Sequence, residues 1–204
     1  MRRRIYITLL LLAVVVFKAG AVDGFRTIYG IEYGYTSTVS EWHHTNYVSP
    51  EGPRVNQIHM DYDYVPLGYA GLWYGAEFAR HWSTCLVLSL NWISKERTIS
   101  VLSMRIAYFF KSYEVDGVKL FLDAGAGVTE TFKGLPDFCG KAGGAYRLVL
   151  AKKVNLDLCA SVQLSVDHPV TVRDRFSGNI LTLNSIRRSD ALYTGINIGL
   201  MLGF

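Results

Sequence analysis

Half of the 204 residues are hydrophobic and 13% are aromatic, a composition too apolar for a disordered chain. Three cysteines, Cys85, Cys139 and Cys159, are too few and too scattered for a disulfide framework, and no spacing with His suggests a zinc site. The formal charge of +4 belongs to one end: without Arg2, Arg3, Arg4 and Lys18, 17 basic residues face 17 acidic ones, so the charge gives no reason to expect nucleic acid as a partner.

Arg2-Arg3-Arg4 precede thirteen apolar residues, 5–17, and Ala19-Gly20-Ala21 then offer the small side chains a signal peptidase cuts beside. Residues 1–21 are therefore expected to be a secretory signal peptide, and 22–204 the folded domain. The apolar run is shorter than the roughly 17 to 25 residues a spanning helix needs. Val22 stands where a lipoprotein would carry its Cys.

Beyond residue 26 the chain alternates. Tyr29, Ile31, Tyr33 and Tyr35 take turns with Gly30, Glu32, Gly34 and Thr36, the period of a strand with an apolar outer face and a small or charged inner one. Residues 39–56, rich in Ser, His, Asn and Pro, read as a long loop. The second strand sets Leu72, Tyr74, Ala76 and Phe78 against Gly71, Trp73, Gly75, Glu77 and Ala79, and a tight turn at 80–84 leads into the third, where Leu86, Leu88, Leu90 and Trp92 oppose Val87, Ser89 and Asn91. In the fourth, Leu102, Met104, Ile106, Tyr108 and Phe110 oppose Ser103, Arg105 and Ala107, ending at a polar turn over 111–117. The fifth places Leu120, Leu122, Ala124, Ala126 and Val128 against Phe121, Asp123, Gly125, Gly127 and Thr129, before a loop at 131–140.

A weaker sixth strand, about 141–150, puts Tyr146, Leu148 and Leu150 opposite Gly143, Ala145 and Arg147. The seventh alternates most cleanly, from Val154 to Val166 outward and from Asn155 to Asp167 inward. The eighth runs to the carboxyl terminus, with Thr194, Ile196, Ile198, Leu200, Leu202 and Phe204 on one face and Gly195, Asn197, Gly199, Met201 and Gly203 on the other. Residues 57–64 also alternate; they are expected to be the upper part of the second strand, broken by a bulge near Pro66 and Gly68. Residues 170–175 and 179–183 suggest a hairpin around Ser177-Gly178 that extends the last two strands. The expected fold is all-β: an eight-stranded antiparallel transmembrane β-barrel, with long connections after strands one and seven on the outside and short ones after two and six on the periplasmic side.

The signal peptide, the segment Leu122-Asp123-Ala124-Gly125-Ala126-Gly127-Val128 and the terminal strand from Gly195 to Phe204 together resemble the eight-stranded outer-membrane β-barrels of Gram-negative bacteria, the small porin-like or OmpA/OmpX-like group. The resemblance covers nearly the whole mature chain through patterns, not signatures. It implies residence in the bacterial outer membrane, contact with its lipid, and insertion by the barrel-assembly machinery, with Phe204 as the assembly signal. It implies no reaction and no cofactor.

An eight-stranded barrel is just wide enough for side chains to fill. Glu32, Glu77, Asp123 and Asp157 share the inner face with Arg105 and Arg147, and such charges are tolerable inside only as a paired, hydrogen-bonded network. Outward Tyr29, Phe78, Tyr108, Phe110 and Phe204 at the periplasmic ends, with Tyr35 and Trp92 at the outer ends, read as two interface belts. Trp42 and Tyr47 read as loop packing in preference to sugar stacking.

Three polar constellations carry residue types suited to chemistry. His81-Trp82-Ser83 has the His-x-Ser spacing of outer-membrane lipid A deacylases, but it falls at a periplasmic turn and has Thr84 where that family has Asn. Asp167-His168 with Ser189 and Asp190 offers a hydrolytic base and nucleophile on paper. His43, His44, His59, Asp61 and Asp63 have metal-ligating types, though spacing alone does not bring them together. The expected function is thus a non-enzymatic barrel, structural in the envelope or binding an extracellular ligand through its loops, with no metal; a small diffusion pore is the alternative, and a lipid-modifying hydrolase a more distant one.

Overall fold

Strict alternation of side chains turns one face of each strand outward and the other inward, and nine strands result in the computed structural model, which describes residues 26–62, 65–94, 97–127 and 136–204. They are β1 (Arg26–Val48), β2 (Arg54–Asp61), β3 (Val65–Ala79), β4 (Trp82–Ser94), β5 (Arg97–Phe109), β6 (Gly117–Gly127), β7 (Phe138–Ala151), β8 (Val154–Asp167) and β9 (Ile186–Gly203). The expected signal peptide, Asp63 and most of the loop after β6 lie outside the described residues.

Every neighbouring pair is antiparallel, and β1 returns to pair with β9 from Gly30↔Gly203 to Tyr47↔Ile186, so β1 and β3 to β9 form a closed eight-stranded barrel. Closure leaves the ladder without an edge along the wall. The terminal Phe204 fastens this seam: its N–H donates to the Tyr29 carbonyl at 2.8 Å, and the two rings stack at 5.8 Å.

The second strand position is occupied twice. β3 pairs with residues 26–38 of β1, and β2 pairs with residues 41–48 on the same edge, so the two succeed one another along β1. β2 ends at Asp61 and β3 begins at Val65, just before Pro66 and Gly68, which pair within β3 with Ser37 and Tyr35. Pro66 is tolerated there because the β3–β4 ladder begins only at Tyr69↔Asn91, leaving no donor required on that side.

Residues 39–56 do not form the expected long loop. β1 continues to Val48, and the turn to β2 spans only 49–53, with Gly52 at φ +104°. A bulge between Thr38 and Ser40 explains why the strand was hidden. It inserts one residue, so the inner face passes from Thr36 and Thr38 to Glu41, His43, Thr45 and Tyr47, and the apolar alternation ceases. The expected hairpin at 170–183 is also different: β8 stops at Asp167, and only an isolated bridge, Arg173↔Ile180, joins its arms. It folds over the mouth, where Val172 and Leu181 bury against Tyr47, Val55 and Ile186. Apolar contact over the mouth thus replaces strand extension.

The wall is apolar outside and polar or small inside. Leu158, Val162 and Leu164 of β8 are exposed, while Asp157, Gln163 and Ser165 between them are buried. Glycines on the β1–β9 seam make room for large rings within. A Cβ on Gly34 would lie 2.6 Å from the Tyr69 ring, and one on Gly30 2.5 Å from that of Trp73.

Candidate functional site

The interior carries a chain of ion pairs fixed by strand register. Arg105 of β5 stands directly opposite Asp123 of β6 and donates to it twice, Nε to Oδ1 and Nη2 to Oδ2, each at 2.7 Å. The same guanidinium reaches Glu32 of β1 across the lumen at 2.8 Å. Arg147 of β7 is likewise opposite Asp157 of β8, with a two-pronged contact at 2.7 and 2.8 Å, and Lys119 adds a third donor to Asp157 at 2.5 Å. Asp123 and Asp157 are in this way given directional partners, the condition under which such charges persist away from water, while Glu32 is held by ion-pair distance to Arg105 without a well-aligned hydrogen bond to either oxygen.

Five of the six expected lumen charges meet in these pairs; Glu77 does not. It lies opposite Arg26 at the β3–β4 turn end, but the Arg26 guanidinium goes to Glu114 at 2.6 Å. Sequence reasoning passed over Lys119 and Lys141, both buried, although they share the parity of Asp123 and Arg147 and were identifiable by it. Lys141 lies opposite Asp123, with its ammonium 4.3 Å from the Tyr69 ring centroid. Tyr113 carried no such signal because it belongs to a turn. It folds into the barrel end, 1% exposed, and the Arg147 guanidinium lies 3.9 Å from its ring centroid.

These side chains fill the bore. A cavity beside Trp73, Arg105, Lys119 and Met201 measures about 10 Å³, no more than one water molecule occupies. Cys85, Cys139 and Cys159 are buried, free thiols on the inner face. Above the ion pairs, Ile93, Ile99, Val101 and Tyr193 close an apolar layer across the bore.

Over that layer a larger cavity of about 610 Å³ opens beneath the folded hairpin. Its inner walls come from the upper parts of β1, β2 and β9, whose register puts Glu41, Asp61 and Tyr193 in one row, His43 and His59 in the next, and Thr45, Gln57 and Ser189 above them. The hairpin is held there by polar ties as well as apolar contact. Its Arg175 N–H donates to the Tyr47 hydroxyl at 2.8 Å, and Asp174 accepts from the Ser177 hydroxyl at 2.8 Å, the Ser177 N–H at 3.0 Å and the Ser49 hydroxyl at 3.3 Å. Burial pushes the Asp174 carboxyl up, but the bonds from Ser177 and Ser49 outweigh it and hold the group below the usual carboxylate range.

His81 Nδ1 donates to the Phe109 carbonyl at 2.8 Å, Trp82 faces outward and Ser83 is buried, so the His-x-Ser pair is not joined. His168 donates from Nδ1 to Asp190 at 3.0 Å, and Arg188 also pairs with Asp190, whereas Ser189 lines the cavity on the opposite face of β9. A His–Asp dyad therefore forms without its serine. His43 and His59 are direct cross-strand partners on the cavity face, each next to a carboxylate: Glu41 at 3.4 Å and Asp61 at 2.9 Å. His44 faces away and meets Asn56 at 3.0 Å. No three His, Cys, Asp or Glu side chains converge on a metal position among the described residues.

Of the expected belt, Tyr29, Phe78, Phe110 and Phe204 are exposed at the turn end, and Tyr35 and Trp92 toward the mouth. Trp82 joins the first group, its ring centroid 4.9 Å from that of Tyr108. A scan against protein-family models finds none that matches this chain, and no curated protein matches it either.

Proposed function

We propose that the chain is an integral barrel of a bacterial outer membrane, plugged along its bore, non-enzymatic, and presenting a capped recognition end to the outside. The observation that carries this reading is its inverted polarity. Around a closed wall, Tyr33, Leu72, Leu88, Leu122, Val162 and Ile198 are about half exposed or more, while Arg105, Lys119, Asp123, Arg147 and Asp157 are buried. A continuous apolar belt of this kind on a closed barrel has lipid as its natural solvent. The terminal strand ending at Phe204 supports delivery by the barrel-assembly machinery, after export through the expected signal peptide.

Heat-dependent mobility tests the architecture: a barrel that resists detergent until boiled migrates differently on a denaturing gel before and after heating. Recording from planar bilayers tests the plug. The filled bore predicts no large, stable unitary conductance, and observing one would replace this reading with the diffusion pore.

A further inference from the structure

The cavity at the mouth has a chemistry that narrows its ligand. Its volume of about 610 Å³ falls within the roughly 300 to 1,000 Å³ of small-molecule sites. Exposure grades from the inside out: Ser189 and Tyr193 are 2% and 5% exposed, whereas His59, Thr171 and Arg173 stand at the open rim. A solute entering from outside therefore meets the rim first and is enclosed by the deeper groups.

Most of the charge on the lining is already used. Arg97 is held by a two-pronged contact to Asp167, both bonds at 2.8 Å, and His43 and His59 each face their own carboxylate. Arg173 differs, for its guanidinium forms no ion pair or side-chain hydrogen bond with a described residue. The neutral polar groups are also uncommitted. Thr45, Gln57, Thr171, Ser189 and Tyr193 hydrogen-bond no other described side chain, and each presents a hydroxyl or amide that both donates and accepts.

We propose that this cavity binds a sugar unit bearing one anionic group, with the ring hydroxyls on Thr45, Gln57, Ser189 and Tyr193 and the anion on Arg173. Adjacent ring hydroxyls donate and accept from the same atom, which is what a lining of hydroxyls and amides complements. An apolar ligand would leave these groups desolvated and unpaired. Among the described residues of the lining, a multiply charged anion would find Arg173 as its one uncommitted cation. Arg173 offers a planar fork suited to a carboxylate.

The proposal rests on the reading of this end as the outward, accessible one, and the test keeps the two apart. The full chain, reconstituted in lipid nanodiscs and first checked for its heat-dependent gel shift, is titrated calorimetrically with glucuronate, glucose and acetate. Glucuronate is expected to bind saturably, glucose about tenfold more weakly and acetate not at all, a tenfold difference being the usual scale of one charge-assisted hydrogen bond. Arg173→Ala, at an exposed position, should bring glucuronate down to the level of glucose, and Ser189→Ala should weaken both sugars. Equal binding of glucuronate and glucose to the unaltered chain overturns the role of Arg173. Binding of acetate as strong as that of glucuronate, or no saturable binding in a barrel that shows the gel shift, overturns the sugar site. Absence of the gel shift overturns the membrane-barrel reading instead.

Discussion

Arg147 and Asp157 are direct cross-strand neighbours on β7 and β8, and the Arg147 guanidinium grips the carboxylate with bonds of 2.7 and 2.8 Å from Nε and Nη2. Asp157 also accepts from Lys119, so one acid neutralises two buried bases. Replacing it by Ala would leave both cations buried without that partner. Asp157→Ala is therefore expected to cost at least the roughly 3 to 5 kcal/mol of breaking a buried pair. Asp123→Ala should cost less, since Arg105 keeps Glu32 at 2.8 Å. Denaturant midpoints in micelles give the ranking, and the reverse order would refute the shared-acid account.

Ile198 and Ile58 are both outward and exposed, but Ile198 lies on the barrel wall and Ile58 on β2, beyond it. If lipid surrounds the wall, Ile198→Arg should destabilise the folded barrel by about 2 to 4 kcal/mol, and Ile58→Arg by about 0.5 kcal/mol or less. Unfolding in lipid vesicles measures both. Equal, small effects would argue that the wall is not in a bilayer.

Phe204 closes the seam through the backbone bonds with Tyr29 and through ring stacking. Its deletion removes both contacts and the proposed assembly signal. The yield of heat-shifting barrel in isolated outer membranes should fall, while Phe204→Tyr, which keeps the ring, should preserve most of it. Equal yields from the deletion and the intact chain would remove Phe204 from both roles.

Asp174 ties the mouth hairpin to the β1–β2 turn, and its folded carboxyl is held below the usual range. A depressed acid contributes order above its unfolded value, near pH 4, and that contribution is lost as pH falls through the folded value. Hydrogen exchange at 174–178 should accordingly rise on acidification below about pH 4. Asp174→Asn should show faster exchange already at neutral pH and a flatter response to acid. A hairpin whose exchange in both proteins follows the same acid profile would exclude the carboxylate as its tie.

The inside and outside of the wall were legible in the chain because a strand's side chains alternate with period two. Parity alone assigns Leu158, Val162 and Leu164 outward and Asp157 and Gln163 inward, and the same rule places Lys119 and Lys141 inward. Parity says which face a residue occupies, not which residue stands opposite. The pairing of Arg105 with Asp123 and of Arg147 with Asp157 depends on the register between strands, and the contact with Glu32 depends on closure bringing β1 across the lumen from β5. The mouth was hidden for a different reason. One extra residue between Thr38 and Ser40 exchanges the faces of β1, so Glu41, His43 and Thr45 resemble loop sequence until their ladders with β2 and β9 are seen. Local alternation fixed the polarity of this barrel, while register, a bulge and a folded hairpin decided which polar groups would meet.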